Sequence, residues 1–190
     1  ADGETHQGTL DMAFFRLVPN LTIMAPKDFK ELEDMMEFAM KLRKPVVIRY
    51  PRGGEDTNVK FEKHSKIQEG KAEIIQTGKD VTIIAIGKMV TKAMKIANEL
   101  EKEQKSVEII NARFLKPLDE KTIKTSIEKT KNVITIEDGT KINGLGTAIK
   151  ELIIDNNLRD INITTYAYPD EFIPHGTVNE LEEKFIIWDN

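Results

Sequence analysis

The alternation of apolar strands with amphipathic helices over residues 81–190 constrains the fold more than any other feature of this chain. "VTIIAIG", Val81 to Gly87, is a short β-branched run, the pattern of a strand buried on both faces. Met89, Ala93, Ile96, Ala97 and Leu100 follow at three- and four-residue spacing, which puts them on one helix face. The pair then repeats. "SVEIINAR" reads as a strand, and Asp119 caps a helix bearing Ile123 and Ile127. "NVITIED" is a strand, followed by a helix face of Leu145, Ala148, Ile149, Leu152 and Ile153. "INITTYAYP" is a strand, and Thr177 with Glu180 forms a capping box for a helix carrying Val178, Leu181 and Phe185. Such alternation demands right-handed crossovers and a parallel sheet covered on both faces. Residues 81–190 are therefore expected to form a complete, mostly parallel α/β domain of about four or five strands.

The first 57 residues repeat the pattern only in part. After an opening loop, "LTIMAP" (Leu21 to Pro26) reads as a buried strand. Asp28 offers an N-cap, with Glu31 three residues on as in a variant capping box. The helix that follows is expected to bury Leu32, Met35, Met36, Ala39 and Leu42. Val46, Val47 and Ile48 then form a strand, which Pro51, Gly53 and Gly54 end. Loop, strand, helix and strand are the back part of a parallel α/β domain and too little to close a core of their own. Residues 58–80 are rich in Lys and Glu and read as a linker with some local strand.

Composition narrows the chemistry. A net charge of −4 with Lys and Glu spread along the chain offers no basic face for a nucleic-acid backbone. The absence of Cys excludes disulfides, thiolate nucleophiles and cysteine zinc sites. No apolar run approaches the roughly 20 residues of a membrane helix, and nothing resembles a secretory leader. The expectation is a soluble, cytoplasmic α/β protein acting on small molecules, with no nucleic-acid or membrane partner.

Several motifs could carry chemistry, and each has a plainer structural reading. In "EDGTKINGLGTAIK" a glycine-containing turn opens a helix, a geometry that can present N–H groups to an anion. Only Gly144 and Gly146 have dinucleotide-loop spacing, so a tight turn with close helix–sheet packing is the alternative. "IGK" and "TGK" lack the rest of a phosphate loop. His64 in the linker reads as a solvated side chain. His175, between Pro174 and Gly176, lies at a strand's carboxyl edge, where ligands bind in such sheets, or is simply a turn residue. Asp2, His6, Arg49 and Arg52 all fall at loop ends of the same partial domain. A histidine can exchange protons with substrate hydroxyls near neutral pH, and an arginine fork can hold a phosphate. These residues make either a sugar-phosphate site or a set of surface salt bridges.

The blocks "DGETHQGTLDMAFFRLVPNLTIMAPKD", "VVIRYPRGG", "NARFLKPLDE", "VITIEDGTKINGLGTAI" and "YPDEFIPHGT" span nearly the whole chain in order. Together they resemble the 1-deoxy-D-xylulose-5-phosphate synthases of the transketolase-like thiamine diphosphate superfamily. The opening is shared with transketolases; "YPRG" (Tyr50 to Gly53) and "FIPHG" favour the synthases over transketolases and over the β subunits of 2-oxo acid dehydrogenases.

The resemblance implies the end of a pyrimidine-binding domain (1–57), a linker (58–80) and a transketolase C-terminal domain (81–190). It implies an enzyme that joins pyruvate to D-glyceraldehyde 3-phosphate with loss of CO₂, feeding isoprenoid, thiamine and pyridoxal biosynthesis. Thiamine diphosphate and Mg²⁺ would be its cofactors, with their main ligands outside this chain. The chain would be inactive alone, and its partners would be the missing N-terminal part and a second copy in a homodimer. By the same resemblance Asp2 would bond an acceptor hydroxyl, His6 would touch the acceptor and shuttle a proton, and Arg52 would hold the phosphate. Glu4 stands where the family usually has proline, which alters the stiffness of that loop. The alternatives are a transketolase or dehydrogenase-type component, or a non-catalytic assembly module with the same C-terminal fold.

Overall fold

The structure, a computed structural model, describes residues 3–56, 59–61 and 64–186. Its larger sheet combines β3 (Glu73–Gln76), β4 (Val81–Ala85), β5 (Val107–Asn111), β7 (Asn132–Thr140) and β8 (Asn162–Tyr168) in the order β3-β5-β4-β7-β8. All neighbours are parallel except β3, which pairs antiparallel with β5 at one edge. Helices α3 (Met89–Lys102) and α6 (Val178–Phe185) cover one face, and α4 (Glu120–Thr130) and α5 (Leu145–Asp155) the other. The fold is thus the α/β class expected. Alternate residues of β4 feed the two layers: Ile83 and Ala85 pack with α3, and Ile84 packs with α4 and α5. The caps form as their sequences predict. Asp119 accepts from Thr122 N–H, and Thr177 and Glu180 make a reciprocal capping box.

The N-terminal residues build a second, three-stranded sheet. β1 (Thr22–Met24) is parallel to β2 (Val46–Ile48) on one side. On the other it pairs antiparallel with β6 (Phe114–Lys116), a strand supplied from the far side of β5. Met12, Leu21 and Ile23 share one buried cluster with Ile84, Ile110 and Ile127, so the N-terminal part completes its core on its neighbour. A short helix, α1 (Asp11–Arg16), lies in what the sequence presents as opening loop. Helix α2 (Phe29–Lys41) starts at the Asp28 cap, but Glu31 reaches back to Lys27 N–H, one residue beyond a true capping box. Its inward stripe also differs from the expected one. Met35 is fully buried with Phe38 and Ala39 beside it, whereas Met36 points outward and Glu31 points in.

Glu31 is buried because it joins a network of charges between the two sheets. Arg113 Nε donates to Glu31 at 2.6 Å and another guanidinium nitrogen lies 2.9 Å from Glu73. Lys27 Nζ bridges the same two carboxylates at 3.1 and 2.9 Å, and Asn111 Nδ2 donates to Glu31. Two cations face two carboxylates, which is the condition for burying any of them. His64 is drawn to the same region: Nε2 lies 2.7 Å from Asp28 Oδ2, so it is a partly buried partner of the helix cap and not the solvated side chain its sequence context suggests.

Candidate functional site

Arg49 follows β2 directly, and its N–H donates to the Met24 carbonyl at 2.8 Å, extending the parallel pairing by one residue. Its guanidinium turns toward the larger sheet. It bonds the Asp138 carboxylate, lies 3.3 Å from the Asp138 carbonyl and 3.4 Å from the Gly8 carbonyl, and faces Asp11 at 3.7 Å. Asp138 is delivered by β7, where the pairing with β8 breaks between Ile136 and Thr140. The alternation of side chains along the strand sends the consecutive carboxylates Glu137 and Asp138 to opposite faces. Asp138 meets Arg49, with Lys88 Nζ 3.7 Å away, while Lys88 also pairs with Glu182 of α6. Burial alone would raise the Asp138 carboxyl, but Arg49 and Lys88 outweigh it and hold the group below the usual carboxylate range. Its Oδ1 has no hydrogen-bond partner among the described residues.

Glu137 resolves the glycine turn. Its carboxyl group accepts from Leu145 N–H at 2.7 Å and Gly146 N–H at 2.9 Å, so the N–H groups at the start of α5 are already taken by an internal partner. Burial pushes the Glu137 carboxyl up to about 7 despite those two donors. A side chain at Gly144 would collide with this carboxylate, and one at Gly146 with Thr165. The structural reading of the turn therefore holds.

The opening loop is tied down from several directions. Gln7 Nε2 donates to the Ile173 carbonyl at 2.7 Å and lies 3.3 Å from that of Pro174, so "THQ" docks against "FIPHG". Thr140 N–H donates to the Thr9 carbonyl at 2.8 Å. His6 is exposed, with Nδ1 2.8 Å from the Thr5 hydroxyl. His175 is exposed next to Pro174. Asp2 lies outside the described residues.

Arg52 and Tyr50 open onto a cleft of about 730 Å³ between the N-terminal part and helices α3 and α6. Lys88, Lys92 and Glu182 line its other side. Lys92 donates to the Ile186 carbonyl at 3.1 Å, and burial lowers its ammonium pKa. His6 does not line this cleft. Arg52 therefore opens onto a cleft whose lining mixes Lys27, Lys88, Lys92 and Lys95 with Asp28, Glu55, Glu182 and Glu183, and His6 lies on a separate, exposed loop. Sequence reasoning passed over Asp138, Lys88 and Lys92. The available signal was their position, since Lys88 and Asp138 fall at the carboxyl ends of parallel strands. Among the described residues, no group of three or more His, Asp and Glu is arranged to hold a metal ion, and no helix is long and apolar enough to cross a membrane.

Comparison with known proteins agrees with this architecture. Residues 1–54 match the model for the transketolase pyrimidine binding domain, and residues 70–190 that for the transketolase C-terminal domain. The chain is 45% identical over 183 residues to the 1-deoxy-D-xylulose-5-phosphate synthase of Halothermothrix orenii, covering 96% of this chain and 29% of that protein. With the synthase of Clostridium tetani the identity is 39% over 180 residues, covering 95% and 29%. The chain therefore spans less than a third of the length of these relatives. Among solved structures, a split-gene transketolase described as an inactive β4 tetramer superposes with a TM-score of 0.87 at 29% identity, covering 96% of this chain and 59% of that one. The transketolase of Campylobacter jejuni shares the fold, with a TM-score of 0.63 at 20% identity over 97% of this chain and 27% of its own. With the C-terminal domain model matched across well over half its length, the chain belongs to the transketolase family.

Proposed function

We propose that this chain is the C-terminal part of a thiamine-diphosphate-dependent synthase that condenses pyruvate with D-glyceraldehyde 3-phosphate to give 1-deoxy-D-xylulose 5-phosphate and CO₂. The observation that carries the proposal is the 39–45% identity to proteins of that name over nearly the entire chain. Arg52 opens onto a cleft large enough for a small phosphorylated aldehyde, its lining a mixture of lysines and carboxylates. Thiamine diphosphate would supply the carbanion chemistry. The main ligands of its diphosphate and of the accompanying Mg²⁺ would lie in the rest of the enzyme.

What this chain contributes is the acceptor site. Arg52 grips the phosphate with a planar donor fork. His6 exchanges a proton with the acceptor oxygen, and Asp2 bonds an acceptor hydroxyl. Domain limits of 1–57, 58–80 and 81–190, a homodimer and a cytoplasmic location complete the proposal.

A transketolase is the second reading, favoured by the close superposition on the split-gene enzyme. The two are separated by offering the complete enzyme pyruvate with glyceraldehyde 3-phosphate, against xylulose 5-phosphate with ribose 5-phosphate. Turnover of the first pair alone supports the synthase, and turnover of the second alone overturns it.

A further inference from the structure

We propose that Asp138 is a positioning residue for the acceptor site, its carboxylate fixing the Arg49 guanidinium between the loop that carries His6 and the segment that carries Arg52. The inference rests on the acceptor-site reading above and gives the C-terminal domain a part in it. Three chain segments meet at this guanidinium. Gly8, whose carbonyl lies 3.4 Å away, is two residues from His6. Arg52 is three residues beyond Arg49 itself. Asp138 comes from β7, 89 positions away in the sequence, and presents both its carboxylate and its carbonyl.

The alternatives open to Arg49 are poorer. Asp11 is 3.7 Å away, more exposed than Asp138, and burial raises its carboxyl despite Arg49, so it is the weaker anion. Without Asp138 the guanidinium would turn toward Asp11 or solvent, and its hold on the Gly8 carbonyl would loosen. Lys88 would keep Glu182 as a partner, so α3 and α6 would remain joined. The consequence falls on the two loops and not on the hydrophobic layers. Displacing a substrate contact by about 1 Å costs on the order of 100-fold in rate, so a small shift of these loops is enough to be measured.

Asp138→Asn keeps an oxygen that can accept from Arg49 but removes the negative charge, and it sets an amide nitrogen where Oδ1 has no hydrogen-bond partner among the described residues. Asp138→Ala removes the acceptor altogether. In the complete enzyme, Asp138→Ala is expected to raise KM for the phosphorylated aldehyde by about 10- to 100-fold while leaving KM for the donor and the affinity for thiamine diphosphate unchanged. Asp138→Asn is expected to fall between Asp138→Ala and wild type. Arg49→Ala is expected to match Asp138→Ala, with the double variant no worse than either.

A merely structural role would lower kcat through loss of folded enzyme, with every KM intact, and that result overturns the inference. So do wild-type constants in both Asp138 variants, and additive losses in the double variant. The acceptor is whichever phosphorylated aldehyde the wild-type enzyme consumes. Use of ribose 5-phosphate in place of glyceraldehyde 3-phosphate would overturn the synthase reading and still leave the Asp138 comparison to be judged.

Discussion

Replacing Arg113 with Met is expected to destabilise the chain by about 3–5 kcal/mol, the range for breaking one partner out of a buried ion pair. The geometry sets this magnitude. Arg113 is 1% exposed, and so is Glu31, while Glu73 is 7% exposed. Beyond its two carboxylate partners, Arg113 donates to the Ser65 hydroxyl at 2.9 Å and the Ser65 carbonyl at 3.1 Å. Met fills similar volume, so little of the loss comes from a cavity. The cost arises because Lys27 is left as the sole cation of the network between two buried carboxylates. Arg113→Lys keeps the charge but loses the fork, and is expected to fall between wild type and Met. Adding Glu31→Gln to Arg113→Met restores one cation to one carboxylate at Lys27–Glu73, so the double variant should recover part of the loss, with a coupling of about 1–3 kcal/mol. Urea unfolding followed by circular dichroism measures each term, with an unchanged dependence on urea showing that the same surface is exposed. Were Arg113→Met to cost no more than about 1 kcal/mol, the value of a solvated surface pair, the network would not be sealed between the sheets and the reasoning would fail.

Three further predictions concern the acceptor and a buried charge. Arg52→Ala should lower kcat/KM for glyceraldehyde 3-phosphate by about 10- to 150-fold, a loss of roughly 1.5–3 kcal/mol, and scarcely affect an unphosphorylated aldehyde; equal losses with both would make Arg52 a structural ion-pair partner. His6→Ala should instead reduce kcat with either aldehyde, by about 100-fold or more, if the imidazole carries a proton. Burial would raise the Glu73 carboxyl, but the Ser65 N–H, Lys27 and Arg113 bring it down to about 2. Because the folded value is the lower one, its contribution is present above the ordinary pKa of 4.5 and is lost as pH falls toward 2. Acid titration of stability should therefore be shallower in Glu73→Gln across that window, and identical profiles would contradict the assignment.

Features of this molecule that depend on near neighbours were readable from its sequence, and those that depend on distant ones were not. The β-branched runs at 81–87 and 132–138 and the caps at Asp28, Asp119 and Thr177 are local patterns, and each forms. α1 has six residues, too few for a helical periodicity to register, and β6 is defined by its antiparallel pairing with the distant β1. The inward turn of Glu31 in place of Met36 depends on Arg113, 82 positions away. The glycine turn invited a ligand in the sequence because nothing local showed that Glu137 would fill it. Of the proposed acceptor site, Arg52 and His6 come from the resemblance. Arg49 was legible as a loop-end cation, but its partner Asp138 was not, because only the fold brings β7 to the end of β2.

The central claim is tested most directly by product identity. The complete enzyme, supplied with pyruvate labelled at its methyl carbon and with glyceraldehyde 3-phosphate, is expected to release CO₂ from the pyruvate carboxylate and to place the label in the methyl group of 1-deoxy-D-xylulose 5-phosphate, as read by carbon NMR. Failure to incorporate the label, together with conversion of xylulose 5-phosphate and ribose 5-phosphate to a seven-carbon ketose, would contradict the account.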